Sequence, residues 1–184
     1  MRTEQELARL CTAGDREAQG ELYAQYASRL YALCYRYVAD REEAQDLMHD
    51  AMIKAMDSFR YFSYSGDGSL YAWLRRLTVN VVIDRLRQMS KLRLVPLDQT
   101  IETGNTDTDD DAADNIPAQA LLDMVAALPS VRRTVFNMYC IDGFNHRDIA
   151  AAIGITEKGS ASILAKARAQ LKSQVNDYLK RTGK

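Results

Sequence analysis

The chain has 184 residues, 47% of them hydrophobic and 27% charged, which allows one domain or two small ones with enough apolar material for a core. No apolar run approaches the ~18–20 residues of a membrane-spanning helix. The N-terminus is charged from Arg2 onward without an apolar signal core, so a soluble, cytoplasmic protein is expected, with no membrane insertion. The net charge of -1 excludes little until it is divided. Residues 1–94 are nearly balanced. Residues 95–117 hold Asp98, Glu102, Asp107, Asp109, Asp110, Asp111 and Asp114 and no Lys or Arg, and residues 118–184 are basic in excess.

Helix signals recur in chain order. Thr3 and Glu6 form a capping-box pattern for a short helix that Gly14 closes. Asp15 caps the next helix, whose Ala18, Leu22, Tyr26, Leu30, Leu33 and Tyr37 make an apolar stripe. Asp40 and Glu43 repeat the start signal for a helix to about Asp57. Arg60–Gly68 breaks the period with Ser65, Gly66, Asp67 and Gly68 as turn chemistry. Ser69 restarts a long helix in which Leu70, Trp73, Leu74, Leu77, Val81 and Leu86 fall near helical spacing. Only over Thr78–Ile83, rich in β-branched residues, does a strand compete, and the helical spacing on both sides favours helix.

Residues 95–117 run from near Pro96 to Pro117 and are nearly free of large apolar groups, so a flexible, extended acidic linker is expected. Four helical segments follow: Gln119–Leu128, stopped by Pro129; a helix capped by Ser130 to about Ile141; His146–Ile153, capped by Asn145; and, after Gly154, a helix capped by Thr156 to about Leu179. A short helix, a glycine-containing turn and a basic helix form a helix-turn-helix pattern. The expected fold is therefore all-α: a helical domain at 1–94, the linker at 95–117 and a helix-turn-helix domain at 118–184.

Three segments carry chemistry. In Ser69–Arg93, Arg75, Arg76, Arg85, Arg87, Lys91 and Arg93 face one acid, Asp84, and the rings of Tyr61, Phe62, Tyr64, Tyr71 and Trp73 cluster beside them. Cations attract phosphates and rings stack on unpaired bases, so this suits single-stranded nucleic acid. A plain amphipathic helix with Trp73 in its core stays open as the other reading. The helix Arg41–Asp57 is acidic, interleaved with Leu47, Met48, Met52, Ile53 and Met56. It suits either protein docking through a Met-rich patch or a solvated face over a core. In the last helix, Ile155, Leu164, Ala167 and Leu171 are expected inside. Lys158, Ala161, Ser162, Ala165, Lys166 and Arg168 lie outward or on the flanks, small residues letting the helix approach a major groove and cations reaching phosphates or guanine edges.

Catalysis finds little support. His49 and His146 are far apart, no cysteine is near either, and there is no glycine-rich phosphate loop or nucleophile elbow. Asp46 and Asp50 share a face without a third ligand, so no metal, cofactor or catalytic residue is expected. Cys11, Cys34 and Cys140 are scattered and odd in number, as expected of small core residues in a reducing compartment.

In this order the segments resemble the extracytoplasmic-function group of the sigma-seventy superfamily, the bacterial transcription initiation factors. EEAQDLMHDAMIKAM (42–56) resembles the helix that docks on the clamp coiled coil of the largest subunit of core RNA polymerase. SLYAWLRRLTVNVVIDRLR (69–87) resembles the element that melts and reads the upstream edge of the transcription bubble. ALPSVRRTVFNMYCIDGFNHRDIAAAIGITEKGSASILAKAR (127–168) resembles the domain that reads the minus-thirty-five element.

The resemblance implies roles. Asp46, Leu47, His49, Asp50, Ile53 and Lys54 would dock on polymerase. Tyr61, Phe62 and Ser63, in the loop Arg60–Ser69, would take up a flipped minus-ten base, with Trp73, Arg76, Asn80, Asp84 and Arg87 in support. Arg147, Thr156, Lys158, Ala161, Ser162, Ala165, Lys166 and Arg168 would meet minus-thirty-five DNA. The partners implied are core RNA polymerase, promoter DNA and, as a further candidate, an anti-sigma factor. The acidic linker would run through the polymerase interior. The chain departs from many relatives at His49, Asp50 and Met56 (Gln, Glu and Trp there), and at Ser160, Ala161 and Ile163 (Val and two basic residues there). Its promoter preference is therefore not carried over. Two other readings compete: a helix-turn-helix regulator that never binds polymerase, and a helical protein–protein adaptor.

Overall fold

A computed structural model describes residues 2–89 and 116–182. The described residues are helical, with no strand, and the chain divides into two compact units, the first ending at Leu86. No described helix is long and apolar enough to cross a membrane. The predicted linker 95–117 lies outside the described residues except for Ile116 and Pro117, and Ile116 is buried.

The first unit is built from α1 (Glu4–Thr12), α2 (Arg16–Val38), α3 (Arg41–Ser58), a 3-10 turn (Phe59–Tyr61) and α4 (Ser69–Gln88). The caps follow the sequence signals. Thr3 Oγ1 accepts from Glu6 N at 3.2 Å, Asp15 from Ala18 N at 2.8 Å and Asp40 from Glu43 N at 2.9 Å. Gly14 takes a left-handed φ of 77° just past α1. All six stripe residues of α2 are buried, and Leu7 of α1 and Leu47, Met48 and Met52 of α3 join them in the core.

Helix α4 buries only part of the set that falls near helical spacing. Leu70, Leu74 and Leu86 are buried, together with Thr78, Val79, Val82 and Ile83, while Trp73, Leu77 and Val81 are only half-buried. The β-branched run offers two overlapping apolar arcs, and packing selects one. Thr78 can sit on the chosen arc because its hydroxyl donates to Leu74 O at 2.8 Å.

The second unit comprises α5 (Ala118–Ala126), α6 (Ser130–Phe136, continued as a π-helical turn Asn137–Ile141), α7 (His146–Ile153) and α8 (Glu157–Thr182). Leu128, Val135, Met138, Ile149, Ile153, Leu164 and Ala167 are buried in it. Ser130 is not the cap predicted: Pro129 occupies the N-cap position and Ser130 is the first helical residue. Arg133 is 8% exposed and its Nη1 donates to Ala126 O at 2.6 Å, which ties α6 back to the end of α5. Cys140 is exposed, against the expectation of a core residue. Cys11 and Cys34 are buried, and burial pushes their thiols up to about 11 and about 12, so both stay protonated and unreactive near neutral pH.

Candidate nucleic-acid and protein interfaces

On α3 the inward face is taken by Ala44, Leu47, Met48, Ala51, Met52 and Ala55. Leu47, expected at the docking surface, is 1% exposed and belongs to the core. Met48 and Met52 are buried with it and Met56 is half-buried, so of the two readings the structure favours an acidic face over a methionine-containing core. What projects instead is a row at spacings of four and three: Glu42, Asp46, Asp50, Ile53 and Asp57, all exposed. Ile53 is 62% exposed, a large apolar side chain set among carboxylates. His49 is half-buried beside the row. Its Nε2 lies 3.0 Å from Tyr23 Oη, and the two rings stack at 6.1 Å and 12°, so His49 is braced against α2. A basic helix with an apolar side chain complements such a row, through ion pairs flanking one buried contact.

The second site forms where the 3-10 turn meets α4. Phe59 is buried and anchors a cluster of three rings. Its centroid is 5.1 Å from Trp73, Phe62 is 5.2 Å from Trp73, and Phe59 and Phe62 meet edge-on at 6.2 Å. Trp73 is thus neither plain core nor free. It packs on Phe59 and Phe62 and also lines a groove of about 280 Å³ with Lys54, Ser58, Arg76, Leu77 and Asn80. The structure brings Lys54 to this groove, with Arg76, although sequence reasoning grouped it with the docking row. Along α4, Trp73, Arg76, Asn80, Asp84 and Arg87 follow at spacings of three and four, on the face opposite the buried arc.

At the end of the 3-10 turn Tyr61 is 73% exposed, with the Arg60 guanidinium 4.8 Å from its ring centroid. Ser63 is exposed and Phe62 half-buried. The loop is internally braced: Tyr64 Oη donates to Asp67 Oδ1 at 2.8 Å and Ser65 N to Ser69 Oγ at 3.3 Å. A shallow groove with an indole wall, an amide and two cations can hold an unpaired base and its phosphates.

The third site is the helix pair α7–α8. Asn145 Oδ1 accepts from Asp148 N at 2.8 Å, Gly154 turns the chain at φ 73°, and Thr156 Oγ1 accepts from Gly159 N at 2.9 Å. Thr156 therefore spends its hydroxyl oxygen on the cap. Gly159, Ser160, Ser162, Ile163, Leu164 and Ala167 of α8 are buried. Ser162 was expected outward, but it is 7% exposed and leaves the candidate surface. Ile155 and Leu171, expected inside, are half-buried, and so is Lys166, which sits on a flank.

The outward face carries Lys158, Ala161, Ala165, Arg168 and Lys172, all exposed at spacings of three, four, three and four, with Arg147 exposed on α7. Sequence reasoning missed Lys172 as a site residue. Its place in that spacing was the signal, one turn beyond the matched motif. The two helices are tied by His146, whose Nδ1 lies 2.9 Å from Ser160 Oγ and whose ring stacks on Tyr139 at 4.4 Å. The Arg168 guanidinium lies 5.9 Å from the Tyr139 ring centroid and 3.7 Å from Cys140 Sγ. No group of His, Cys, Asp or Glu among the described residues is arranged to hold a metal ion.

Comparison with known proteins finds two family matches on this frame. Residues 22–91 match the model of Sigma-70 region 2, and residues 118–171 match that of Sigma-70, region 4. The ECF RNA polymerase sigma factor SigM of Mycobacterium tuberculosis is 30% identical over 173 residues, covering 92% of this chain and 83% of that protein. The ECF RNA polymerase sigma factor SigW of Bacillus subtilis is 25% identical, covering 89% and 92%. Among solved structures, the sigma factor RpoE of Bartonella quintana, crystallised with the anti-sigma factor NepR, has a TM-score of 0.52 at 17% identity. The alignment covers 85% of this chain and 96% of that one. CnrH, solved with the cytosolic domain of CnrY, has a TM-score of 0.51 at 20% identity over 95% and 97%. These two likenesses bear on the fold.

Proposed function

The chain belongs to the extracytoplasmic-function group of the sigma-70 family, and on that premise we propose how its three surfaces divide the work of starting transcription. The protein directs core RNA polymerase to promoters and assists their opening. The row Asp46, Asp50 and Ile53, with His49 braced behind it, docks on the clamp coiled coil of the largest polymerase subunit. The groove of Trp73, Arg76, Asn80 and Lys54 captures a minus-ten base from the separated strand, and the exposed ring of Tyr61 offers a stacking partner. Ser63, Asp84 and Arg87 continue that path, while Phe62 shapes it by holding Trp73. Lys158, Ala161, Ala165, Arg168 and Lys172, with Arg147, face the minus-thirty-five duplex. Thr156 caps the helix, and Lys166 acts from its flank.

Residues 1–94 and 118–184 would act as separate modules, as in the two matched regions, with 95–117 as their tether. The protein acts in the cytoplasm, where polymerase is, and does no bond chemistry itself. An anti-sigma factor competing for the α3 row is the regulator this reading admits.

The observation that carries the reading is the half-buried Trp73, packed on Phe59 and Phe62 and lining a groove with Lys54, Arg76 and Asn80. A regulator that only reads duplex DNA has no use for a stacking groove, because paired bases hide their faces. Run-off transcription with purified core polymerase over a promoter library tests it. Discrete transcripts dependent on this chain are expected, and initiation nowhere would overturn it.

A finer test concerns α8. Replacing Lys158, Arg168 and Lys172 with Ala should weaken minus-thirty-five duplex binding and flatten its salt dependence. Every phosphate that is no longer neutralised reduces the slope of log K against log salt by about 0.9. An unchanged slope would place the duplex on another surface.

A further inference from the structure

Glu4, the first residue of α1, lies far in sequence from every site residue, yet its carboxylate reaches the strand-capture loop. Gly68 N donates to Glu4 Oε2 at 2.8 Å, across 64 positions of sequence, and Tyr26 Oη donates to Glu4 Oε1 at 3.0 Å. Both oxygens are therefore engaged, one by the loop and one by a tyrosine of α2 that is 1% exposed. Gly68 immediately precedes α4, where backbone N–H groups lack helical partners and a negative charge is favoured. Gly68 has φ 86° and Gly66 φ 120°, a backbone path that other residues seldom adopt, so this turn has few alternative ways to close.

The start of α1, which carries Glu4, is itself tied to α2. Arg2 Nη1 and Nη2 pair with Glu21 at 2.9 Å and Glu17 at 3.1 Å, and the Arg2 backbone N donates to Glu21 at 3.1 Å. Thr3 caps α1, and Leu7, Ala8 and Cys11 bury its inner face. On the other side, Tyr26 stacks on Tyr71 at 6.1 Å, with the Arg29 guanidinium 3.5 Å from the Tyr71 ring centroid, and Tyr71 is two residues from Trp73. One carboxylate thus joins α1, the core of α2, the end of the loop and the start of the helix bearing the groove.

We propose that Glu4 is a positioning residue for strand capture: α1 works as a strap whose carboxylate holds the 62–68 loop and the first turn of α4 in the conformation that receives the unpaired base. The proposal rests on the strand-capture role assigned above and adds a residue that never touches DNA. With the strap in place the loop is ordered before the strand arrives, so binding does not carry the cost of ordering it. Without it, the ring cluster of Phe59, Phe62 and Trp73 remains but the Gly66–Gly68 turn loses its outside partner.

The test uses the full chain in holoenzyme and a fluorescently labelled single-stranded oligonucleotide of the minus-ten non-template sequence. Glu4→Ala is expected to lower oligonucleotide affinity about tenfold, with core polymerase binding and minus-thirty-five duplex affinity within about twofold of wild type. Glu4→Gln, which keeps the shape but cannot accept from both donors, is expected to lose about threefold, and it serves as the readout should Glu4→Ala fold poorly. Oligonucleotide affinity unchanged in a folded Glu4→Gln chain would overturn the proposal, as would a parallel loss of polymerase binding. Failure of the wild-type holoenzyme to bind the oligonucleotide would instead remove the strand-capture role itself.

Discussion

Core RNA polymerase mixed with a chain carrying Asp46→Lys and Asp50→Lys is expected to remain without sigma factor, its affinity lowered at least about 100-fold. The two carboxylates stand one helical turn apart on the exposed face of α3, in the same row as Ile53. Each exchange removes a charge-assisted hydrogen bond of about 1.5–3 kcal/mol and turns an attraction toward a basic helix into a repulsion. Two such changes exceed the roughly 2.7 kcal/mol that separates affinities by 100-fold. Both side chains are outside the core, so helix content and melting temperature should hold while a pull-down with core polymerase fails. Retention of the double variant on polymerase would move the docking surface elsewhere. Leu47 offers a contrasting control: it is buried, so Leu47→Ala should cost stability, about 2–5 kcal/mol, and not recognition.

Tyr61→Ala should leave polymerase binding intact and slow open-complex formation by about ten- to a hundredfold. Its ring is 73% exposed, so nothing in the core depends on it. The interaction at stake is one base–ring stack, about 1–3 kcal/mol by truncation. Trp73→Ala should lose as much in opening and some stability too, because the indole also packs on Phe59 and Phe62. Phe62→Ala loosens Trp73 and Phe59 and should lose less in opening than either Tyr61→Ala or Trp73→Ala. Permanganate reactivity of unpaired thymines measures the opening. Equal loss of opening and polymerase binding in Tyr61→Ala would mean that this ring serves the fold or the docking surface.

The helical caps were legible because they are local. Thr3, Asp15, Asp40, Asn145 and Thr156 each lie within three residues of the N–H they accept from, so sequence spacing specifies the bond. The α2 stripe was legible because its apolar residues leave one arc to bury. The inner face of α4 was not, since Trp73, Leu77 and Val81 are as apolar as Val79, Val82 and Ile83, and hydrophobicity alone cannot rank two arcs of one helix. Ser162 and Leu47 misled for opposite reasons. A serine is small enough to be buried in α8 despite its polarity, and a leucine that the family resemblance placed at the docking surface packs in the core instead.

The linear order of residues determined the all-helical class, the family and the placement of acid, rings and base on three successive segments, because capping, periodicity and charge runs operate over a few residues. Tertiary structure decided which side chains meet. It set Trp73 between Phe59, Phe62 and the groove, moved Lys54 toward Arg76, exposed Lys172 and Cys140, and carried Glu4 to Gly68. Those arrangements arise from packing one helix face on another. The free energy of that choice is spread over many buried groups, and no single stretch of chain contains it.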